Sequence, residues 1–337
     1  MERLYDKLKA YSESDFYAFH MPGHKRNKAL LGIELPYDLD ITEIDGFDDL
    51  HHADGILKEE QERAARVFGA EESHFLVNGS TAGILSAVMG CTHRGDKILV
   101  ARHCHKSIYH AIYMNGLVPR YVYPEFDISM HMNGEISKED VAKALAAEPD
   151  IKAVVIVSPN YDGVVSDVKG IAEVAHSYRI PLIVDEAHGP HFGFHPAFPG
   201  RANDLGADVV INSLHKTLPS LTQTAILHIN GKLANRRRIK KYLDMLQSSS
   251  PSYIFMASLD ACVDFLDGKC EEAFELYVER LQKFREELKP LQHLQILRTE
   301  HYDISKVVIS TANANITSPE LAERLRKEYH LEMEMTG

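Results

Sequence analysis

The chain has 337 residues, of which 45% are apolar and 26% charged, the composition of a globular protein with room for one large domain and part of a second. Its net charge of -12 argues against a surface for nucleic acid or anionic membranes, because both would require a basic patch. The four cysteines lack CxxC spacing, and the sequence shows neither a signal peptide nor a membrane-length apolar run, so we predict a reduced, cytoplasmic protein.

Residues 1–54 form an N-terminal segment with little regular pattern after a short helix predicted over Glu2–Tyr11. Two dense polar stretches follow this helix, Phe19–Lys25 and Asp40–His52. Loops of this kind are either ordinary surface or parts of a functional site, and composition alone favours surface. We therefore treat the segment as a candidate contributor to a site built elsewhere in the chain.

Between Gly55 and Lys289, predicted strands and helices alternate, which is the pattern of an α/β domain. Several strands are continuous apolar runs, typical of a parallel sheet covered by helices on both faces. The predicted strands are Ser73–Val77, Lys97–Ala101, Arg120–Tyr123, Ala153–Val157, Leu182–Val184, Val209–Asn212 and Thr224–Ile229. Residues 55–289 are therefore predicted to form a major α/β domain with an open, mostly parallel sheet.

The last part of the chain changes character. Helical stretches predicted over Leu233–Leu246 and Met256–Leu288 end before Pro290, because proline disfavours helix in the residue that precedes it. A strand-like stretch, Ser305–Ser310, and a helix over Pro319–Tyr329 follow. We predict that residues 290–337 begin a smaller α+β domain.

Polar side chains stand just beyond the carboxyl ends of the predicted strands, where open α/β sheets bind their ligands. These groups are Asn78–Thr81, His103–His105, Ser158–Asn160, Asp185–His188 and Ser213–Lys216. Because parallel strands end at a common edge of a sheet, all five groups are expected at one edge. This edge is the predicted functional site.

Three of these groups each allow two interpretations, one functional and one structural. Gly79, Ser80 and Thr81 lie between a strand and a helix, where they form either a phosphate cradle or a plain Ser/Thr helix cap. Asp185 closes a buried strand and requires a cationic partner, either a protonated heterocycle or a neighbouring Lys or Arg. His105 is either stacked on a flat ligand or satisfied within the protein.

Lys216 follows His215 just past the apolar run Val209–Ile211, an unusual place for a charge. A desolvated lysine loses its proton and can form an imine with a carbonyl, whereas the common alternative is a lysine that reaches solvent. A metal site built on Asp185, His188 and His191 is disfavoured, since neither H-E-x-x-H nor a Cys/His zinc spacing occurs. Together, the cradle, the carboxylate, the imidazole and the lysine indicate pyridoxal phosphate and no metal.

Five motifs also carry a family resemblance: Phe19–Lys25 (F-H-M-P-G-H-K), Asn78–Thr81 (N-G-S-T), Ala101–Ser107 (A-R-H-C-H-K-S), Asp185–Gly189 (D-E-A-H-G) and Ser213–Lys216 (S-L-H-K). They resemble those of the ornithine/lysine/arginine decarboxylases, which are fold-type I pyridoxal-phosphate enzymes with an aspartate-aminotransferase-like major domain. The chain is similar to the short bacterial arginine decarboxylases from about residue 5 to its end.

The resemblance implies catalytic roles for four residues. Lys216 would carry the cofactor as a Schiff base, and Asp185 would keep the pyridine nitrogen protonated. His105 would stack on the ring and His188 would flank it. The phosphate would be bound by Ser80, Thr81, Ser213 and His215, beside Gly79. Ser250 would reach the phosphate of the neighbouring subunit in a homodimer. The substrate side would be bordered by His20, His24, Thr42 and Glu43.

Two departures from the family pattern stand out. Asp162 occupies a place where the family more often has Tyr or Asn, and the family's C-terminal domain extends past the last residue of this chain. The resemblance implies decarboxylation of a basic amino acid for polyamine synthesis, with arginine favoured over lysine and ornithine. The alternatives are another fold-type I enzyme, an aminotransferase or lyase, and a truncated, catalytically silent cofactor-binding or dimerising protein.

Overall fold

A computed structural model describes residues 2–29, 31–128, 132–297 and 299–336. Its strands are β1 (Glu72–Leu76), β2 (Lys97–Ala101), β3 (Val118–Val122), β4 (Phe126–Asp127), β5 (Met132–Asn133), β6 (Ile151–Val157), β7 (Leu182–Asp185), β8 (Val209–Asn212), β9 (Ala225–Ile229), β10 (Gln295–Ile296) and β11 (Ile309–Ser310). Its α-helices are α1 (Leu4–Ser12), α2 (Ile56–Phe68), α3 (Gly79–Cys91), α4 (Lys106–Asn115), α5 (Lys138–Ala147), α6 (Val168–Ser177), α7 (Leu214–Thr217), α8 (Arg236–Leu246), α9 (Tyr253–Leu266), α10 (Glu271–Leu288) and α11 (Ser318–Tyr329).

Seven strands form the central sheet in the order β1-β9-β8-β7-β6-β2-β3. Strand β9 runs antiparallel to both of its neighbours, and the five strands from β8 to β3 are parallel to one another. Within this sheet, every strand except β9 therefore has its carboxyl end at the same edge. This arrangement confirms the predicted α/β class with a mostly parallel sheet.

Alternate side chains of the central strands enter different apolar cores, so helices cover both faces of the sheet. Val155 of β6 packs in the core shared with α3, α4 and α8. Its neighbours Val154 and Ile156 pack in the core shared with α5 and α6. A third apolar core joins α1, α2, α9 and α10, so the N-terminal segment is anchored on the major domain rather than detached from it.

Two predicted elements differ from the structure. The single helix predicted over Met256–Leu288 is two helices, α9 and α10, which are separated at Gly268 by a backbone φ of +78° that L-residues rarely adopt. The strand predicted over Ser305–Ser310 is limited to Ile309–Ser310, because Asp303 accepts a hydrogen bond from the backbone of Ser305 and closes a turn there. Within the described residues, no helix has the length and apolarity needed to cross a membrane.

Beyond α10, a two-stranded antiparallel ladder of β10 and β11 precedes α11. Helix α11 begins at a capping box in which Thr317 and Glu320 satisfy each other's backbone N–H groups. These elements have α+β character, and the boundary at residue 290 stays a prediction.

Candidate active site

The carboxyl edge of the sheet gathers the side chains that the sequence singled out. Asp185 is the last residue of β7 and pairs in register with Ile211 of the adjacent β8. Ser213 and Lys216 follow β8 within one short helical turn, α7. Parallel pairing of these two buried strands therefore places the carboxylate and the lysine side by side at the same edge.

Lys216 is in contact with His188. Its amine nitrogen, Nζ, lies 3.0 Å from Nε2 of the imidazole. Burial lowers the pKa of Lys216, while the carboxylates of Asp185 and Glu334 oppose that change. The side chain remains reachable from the edge of the sheet. Lys216 is thus a partly desolvated amine with an open approach, which is what a nucleophilic lysine requires.

Asp185 is almost fully buried, and its Oδ1 accepts one hydrogen bond from the backbone N–H of Ala187. Burial raises its pKa to about 6, partly offset by Lys216 and by that N–H group. In the described part of the chain, no Lys or Arg forms an ion pair with this carboxylate. A buried carboxylate with spare acceptor capacity is suited to a cationic ring nitrogen.

The loop between β1 and α3 leaves a helix N-terminus open. Helix α3 begins at Gly79, which has a φ of +72°, and its N-cap residue Asn78 makes no side-chain capping bond. The amide oxygen of Asn78 instead accepts from the backbone of Ser248. Ser80 and Thr81 lie in the first helical turn, so neither is the cap. The N–H of Gly79 donates to the carbonyl oxygen of Gln223 at 2.9 Å, which leaves the N–H groups of the following residues of this turn for an anion.

Three further predicted cofactor ligands lie along the edge. Ser213 is fully buried, and its hydroxyl has no hydrogen-bond partner among the described residues. Nδ1 of His215 lies 2.9 Å from the carbonyl oxygen of Thr224. His105 caps α4 and is bonded through Nδ1 to Ser107; burial and the charge of Lys216 lower its pKa. A neutral, partly exposed imidazole near Lys216 is suited to stacking on a flat ring.

A segment that the sequence did not single out also reaches the site. Lys306 places its amine 2.9 Å from Nδ1 of His188, on the opposite side of the ring from Lys216. The carboxylate of Glu334 accepts a hydrogen bond of 3.4 Å from the hydroxyl of Tyr161 and raises the pKa of Lys216. Sequence reasoning missed Lys306 because its stretch has the pattern of a strand, and no local motif marks Glu334.

Asp162, the departure from the family pattern, lies in the same region. Burial raises its pKa, and the charge of Lys306 opposes the change. The ring of Tyr161 packs edge-on against His188 with a centroid distance of 5.2 Å. Asp162 therefore adds a carboxylate to the surroundings of Lys306 rather than to those of Asp185.

The predicted substrate-side residues form contacts within the N-terminal segment. His20 is bonded to the hydroxyl of Tyr11 at 2.8 Å, and His24 lies 3.2 Å from Asp40. The hydroxyl of Thr42 donates to the backbone of Met21. Among the described residues none of these side chains, nor Glu43 or Ser250, is hydrogen-bonded to Lys216, Asp185 or His188, so their assignment stays a prediction.

The histidine and acidic side chains at this edge do not form a metal site in the described part of the chain. No group of three His, Cys, Asp or Glu side chains within the described ranges could hold a metal ion. His191, a member of the set that raised the question, is instead engaged by Thr217 at 3.0 Å and by Asp303 at 3.2 Å.

The residues present fit pyridoxal phosphate. The unpartnered hydroxyl of Ser213 and the open N-terminus of α3 are complementary to a phosphate group. The spare acceptor capacity of Asp185 is complementary to a protonated pyridine, and the partly desolvated Lys216 to an aldehyde. Each functional group of the cofactor thus has a matching partner on this chain.

Comparisons with known proteins agree with this arrangement. A family model described as Orn/Lys/Arg decarboxylase, major domain, matches residues 3–313. The protein YaaO of Bacillus subtilis is 42% identical over 80% of this chain and 57% of its own length. The arginine decarboxylase of the same organism is 34% identical over 99% of this chain and 71% of the relative.

A solved structure confirms the fold. Lysine decarboxylase A from Pseudomonas aeruginosa superposes with a TM-score of 0.83 over all of this chain, at 24% identity, and the chain spans 56% of that protein. The chain therefore spans little more than half of YaaO and of the solved lysine decarboxylase. It belongs to the Orn/Lys/Arg decarboxylase family.

Proposed function

We propose that this member of the Orn/Lys/Arg decarboxylase family binds pyridoxal phosphate and decarboxylates a basic amino acid to the corresponding amine. Arginine is the favoured substrate, followed by lysine and ornithine, since the relatives matched over nearly the whole chain are named arginine decarboxylases. The observation that carries the proposal is the partly desolvated amine of Lys216, 3.0 Å from His188 and beside the buried Asp185.

The cofactor supplies an electron sink for the electron pair released when the Cα–carboxylate bond of an amino acid breaks. Asp185 serves this chemistry by holding a proton on the ring nitrogen, because its buried carboxylate is stabilised by a cation at that position. Ser213 and the N-terminus of α3 would bind the phosphate, and His105 would pack on the ring. Together these groups would hold the cofactor in one orientation beside Lys216.

Lys216 is the better candidate for returning the proton to the product. Burial and the charges of Lys306 and Lys216 lower the pKa of His188 to about 3, so its imidazole is neutral near pH 7. A neutral imidazole is a poor acid, whereas a lysine whose pKa is lowered by burial gives up its proton more readily than an ordinary lysine and can take it back. His188 therefore orients Lys216, and the ε-amino nitrogen of Lys216 transfers the proton.

Glu334 offers a partner for the far end of a basic substrate. Its exposed carboxylate is close enough to Lys216 and Lys306 to raise the pKa of both amines. Guanidinium and ammonium groups pair with carboxylates through charge-assisted hydrogen bonds. Glu334 thus provides a candidate contact for the substrate outside the N-terminal segment that holds Glu43.

A homodimer with shared active sites is part of the proposal. The N-terminal segment exposes large apolar side chains, including Phe19 at 90% and Tyr17 at 78%, and such clusters mark interaction surfaces. Mixing a Lys216→Ala chain with a Ser250→Ala chain tests sharing: partial recovery of activity in the mixture supports it. Activity no greater than that of the separate variants contradicts it. The polyamine pathway and a cytoplasmic location stay predictions of the sequence.

The test of the function is release of CO₂ and amine from arginine, lysine and ornithine, measured separately on the full chain loaded with pyridoxal phosphate. We expect the basic amino acids to yield CO₂ and one amine each, with arginine fastest. Formation of a keto acid instead would identify an aminotransferase. Cofactor binding without turnover of any of the three would identify a silent cofactor-binding protein.

A further inference from the structure

The imidazole of His188 is held between two lysines, with Nε2 3.0 Å from the amine of Lys216 and Nδ1 2.9 Å from the amine of Lys306. The low pKa of His188 leaves the ring neutral at physiological pH. A neutral imidazole has one N–H and one lone pair, and an ammonium group can only donate. Two ammonium groups cannot both bond to this ring. At least one of the two lysines is therefore a neutral amine.

Burial lowers the pKa of both lysines, so the surrounding carboxylates decide which of the two keeps its charge. Lys306 faces three of them, from Asp303, Glu334 and Asp162. Lys216 faces two carboxylates, from Asp185 and Glu334. Lys306 therefore has more carboxylates around it than Lys216 has. Of the two amines, Lys306 keeps its positive charge and Lys216 is neutral.

The position of Lys306 is fixed by its backbone. The guanidinium of Arg285 donates to its carbonyl oxygen at 2.7 Å, and the hydroxyl of Tyr302 donates to the same oxygen at 2.8 Å. Against its side chain lies Gly163, where an added Cβ would come within 2.8 Å of the Lys306 Cβ. These contacts fix the backbone at Lys306, so its amine has a defined position next to His188.

We propose that Lys306 is a positioning residue for Lys216. Its ammonium group donates to Nδ1 of His188, which leaves the ring proton on Nε2 and points that N–H at the neutral amine of Lys216. The nearby cation also disfavours a second positive charge on Lys216. This inference rests on the proposed role of Lys216 as the lysine that carries the cofactor.

Other charges bear on the same pair and set the expected pH dependence. The titratable groups that face His188 or Lys216 are Lys306, Asp185, His105, Asp303 and Glu334. Lys306 is a cation that acts on both residues through the imidazole. Its removal is therefore expected to raise the pKa of Lys216, because Asp185 and Glu334 remain to stabilise the charged amine.

The test measures acetylation of Lys216 by acetic anhydride in the cofactor-free full chain across a pH series, with peptide mass spectrometry as the readout. Lys306→Met is expected to move the midpoint upward by about one pH unit, so acetylation near neutral pH slows about tenfold. Lys306→Arg is expected to keep the wild-type midpoint, because guanidinium is also a charged, donor-only group. Lys283→Met, at an exposed lysine of α10, is the matched control and should change nothing.

The ring tautomer gives a second readout. Nitrogen NMR of histidine-labelled protein, assigned against His188→Gln, is expected to show the proton on Nε2 in the wild type and in Lys306→Arg. A proton on Nδ1 would overturn the proposal, as would an unchanged midpoint in Lys306→Met. If that variant does not fold, Lys306→Gln replaces it, with the same expected increase.

Failure of this inference and failure of the proposed function give different results. Borohydride reduction of the cofactor-loaded wild type, followed by peptide mapping, is expected to find the cofactor on Lys216. Attachment at Lys306 would overturn the positioning role, and attachment at neither lysine would overturn the proposed function itself. Attachment at Lys216 with no pH shift in the Lys306 variants would overturn the positioning role alone.

Discussion

Two regions meet at His188, and they are held in different ways. The carboxyl edge of the sheet, with Asp185 and Lys216, is positioned by backbone pairing between buried parallel strands. The C-terminal segment 301–306 is positioned by individual bonds to loops, such as the bond from the backbone N–H of Asp303 to the carbonyl oxygen of Gly163 at 2.8 Å. One region is part of the core of the fold, and the other is attached to it.

This difference suggests a division of labour. Groups on the sheet edge have positions that few single substitutions can move, which suits the chemistry of the reacting atoms. Groups on the attached segment, together with Glu334, touch the site from outside the sheet and can adjust protonation or substrate choice without disturbing it. Substitutions in the two regions should therefore have separable effects on rate, on KM and on stability.

The largest effect is expected for Lys216→Ala, because the proposed function assigns the bond to the cofactor to this amine, which lies against His188 and acts on the buried Asp185. Decarboxylation should fall by at least about a thousandfold, and borohydride should fix no cofactor to the chain. Amine formation and peptide mapping measure the two outcomes, with the exposed Lys283→Ala as control. A variant that kept most of its activity would remove Lys216 from the mechanism.

A smaller loss is expected for Asp185→Asn, which keeps the shape of the side chain but removes the charge that stabilises a ring cation. The decarboxylation rate should fall on the order of a hundredfold while the chain still binds the cofactor. Steady-state kinetics and the visible spectrum check these expectations. Near-normal rates would show that another group protonates the ring.

The stability of the cofactor-free protein gives an independent check on Asp185. Burial raises its folded pKa to about 6, so the folded state holds this proton more tightly than the unfolded state does. The free energy of unfolding should therefore decrease as the pH rises from the ordinary carboxylate range through about 6. Denaturant titrations should show that the free energies of unfolding of wild type and Asp185→Asn change differently with pH over that interval. The same pH dependence in both proteins would contradict the raised pKa of Asp185.

On the attached side, Glu334→Gln is expected to act on substrate binding. Loss of one charge-assisted contact should raise KM for the basic substrate by about tenfold, with kcat changed much less. Glu332→Gln, at an exposed neighbour, is the matched control. A fall in kcat with an unchanged KM would place Glu334 in the chemistry instead.

The smallest effect on catalysis is expected for Asp303→Asn, whose main consequence is on stability. Burial opposes ionisation of Asp303, but hydrogen bonds from His191 and Ser305 outweigh it and lower the pKa. We expect the free energy of unfolding to fall by about 2 kcal/mol at neutral pH. The exposed Asp15→Asn serves as control.

The pH dependence of that difference follows from the lowered pKa. The stabilisation is fully present above the ordinary aspartate pKa of about 4 and is lost as the pH falls through the lower folded value. Urea titrations should therefore show the gap between wild type and Asp303→Asn narrowing in acid. A gap that widens in acid would contradict the interpretation.

Much of the fold could be predicted because its signals are local. Continuous apolar runs identified the buried parallel strands, and Pro290 marked the end of the helical stretch that closes at Leu288. The break between α9 and α10 was missed because both helices are apolar on one face and Gly268 interrupts the pattern for only a few residues. The turn at Ser305 was missed because an alternating stretch resembles a strand until Asp303 caps it.

The sequence by itself determined the types and order of the groups at the strand ends, and through them the family and the prediction of its cofactor. Only the tertiary structure decided the state in which those groups meet. Lys216 lies against one nitrogen of His188 and Lys306, 90 residues further along the chain, against the other. Desolvation and hydrogen-bond polarity depend on what packs around a side chain, so the local pattern that marked Lys216 could not place Lys306 on the other side of the same imidazole.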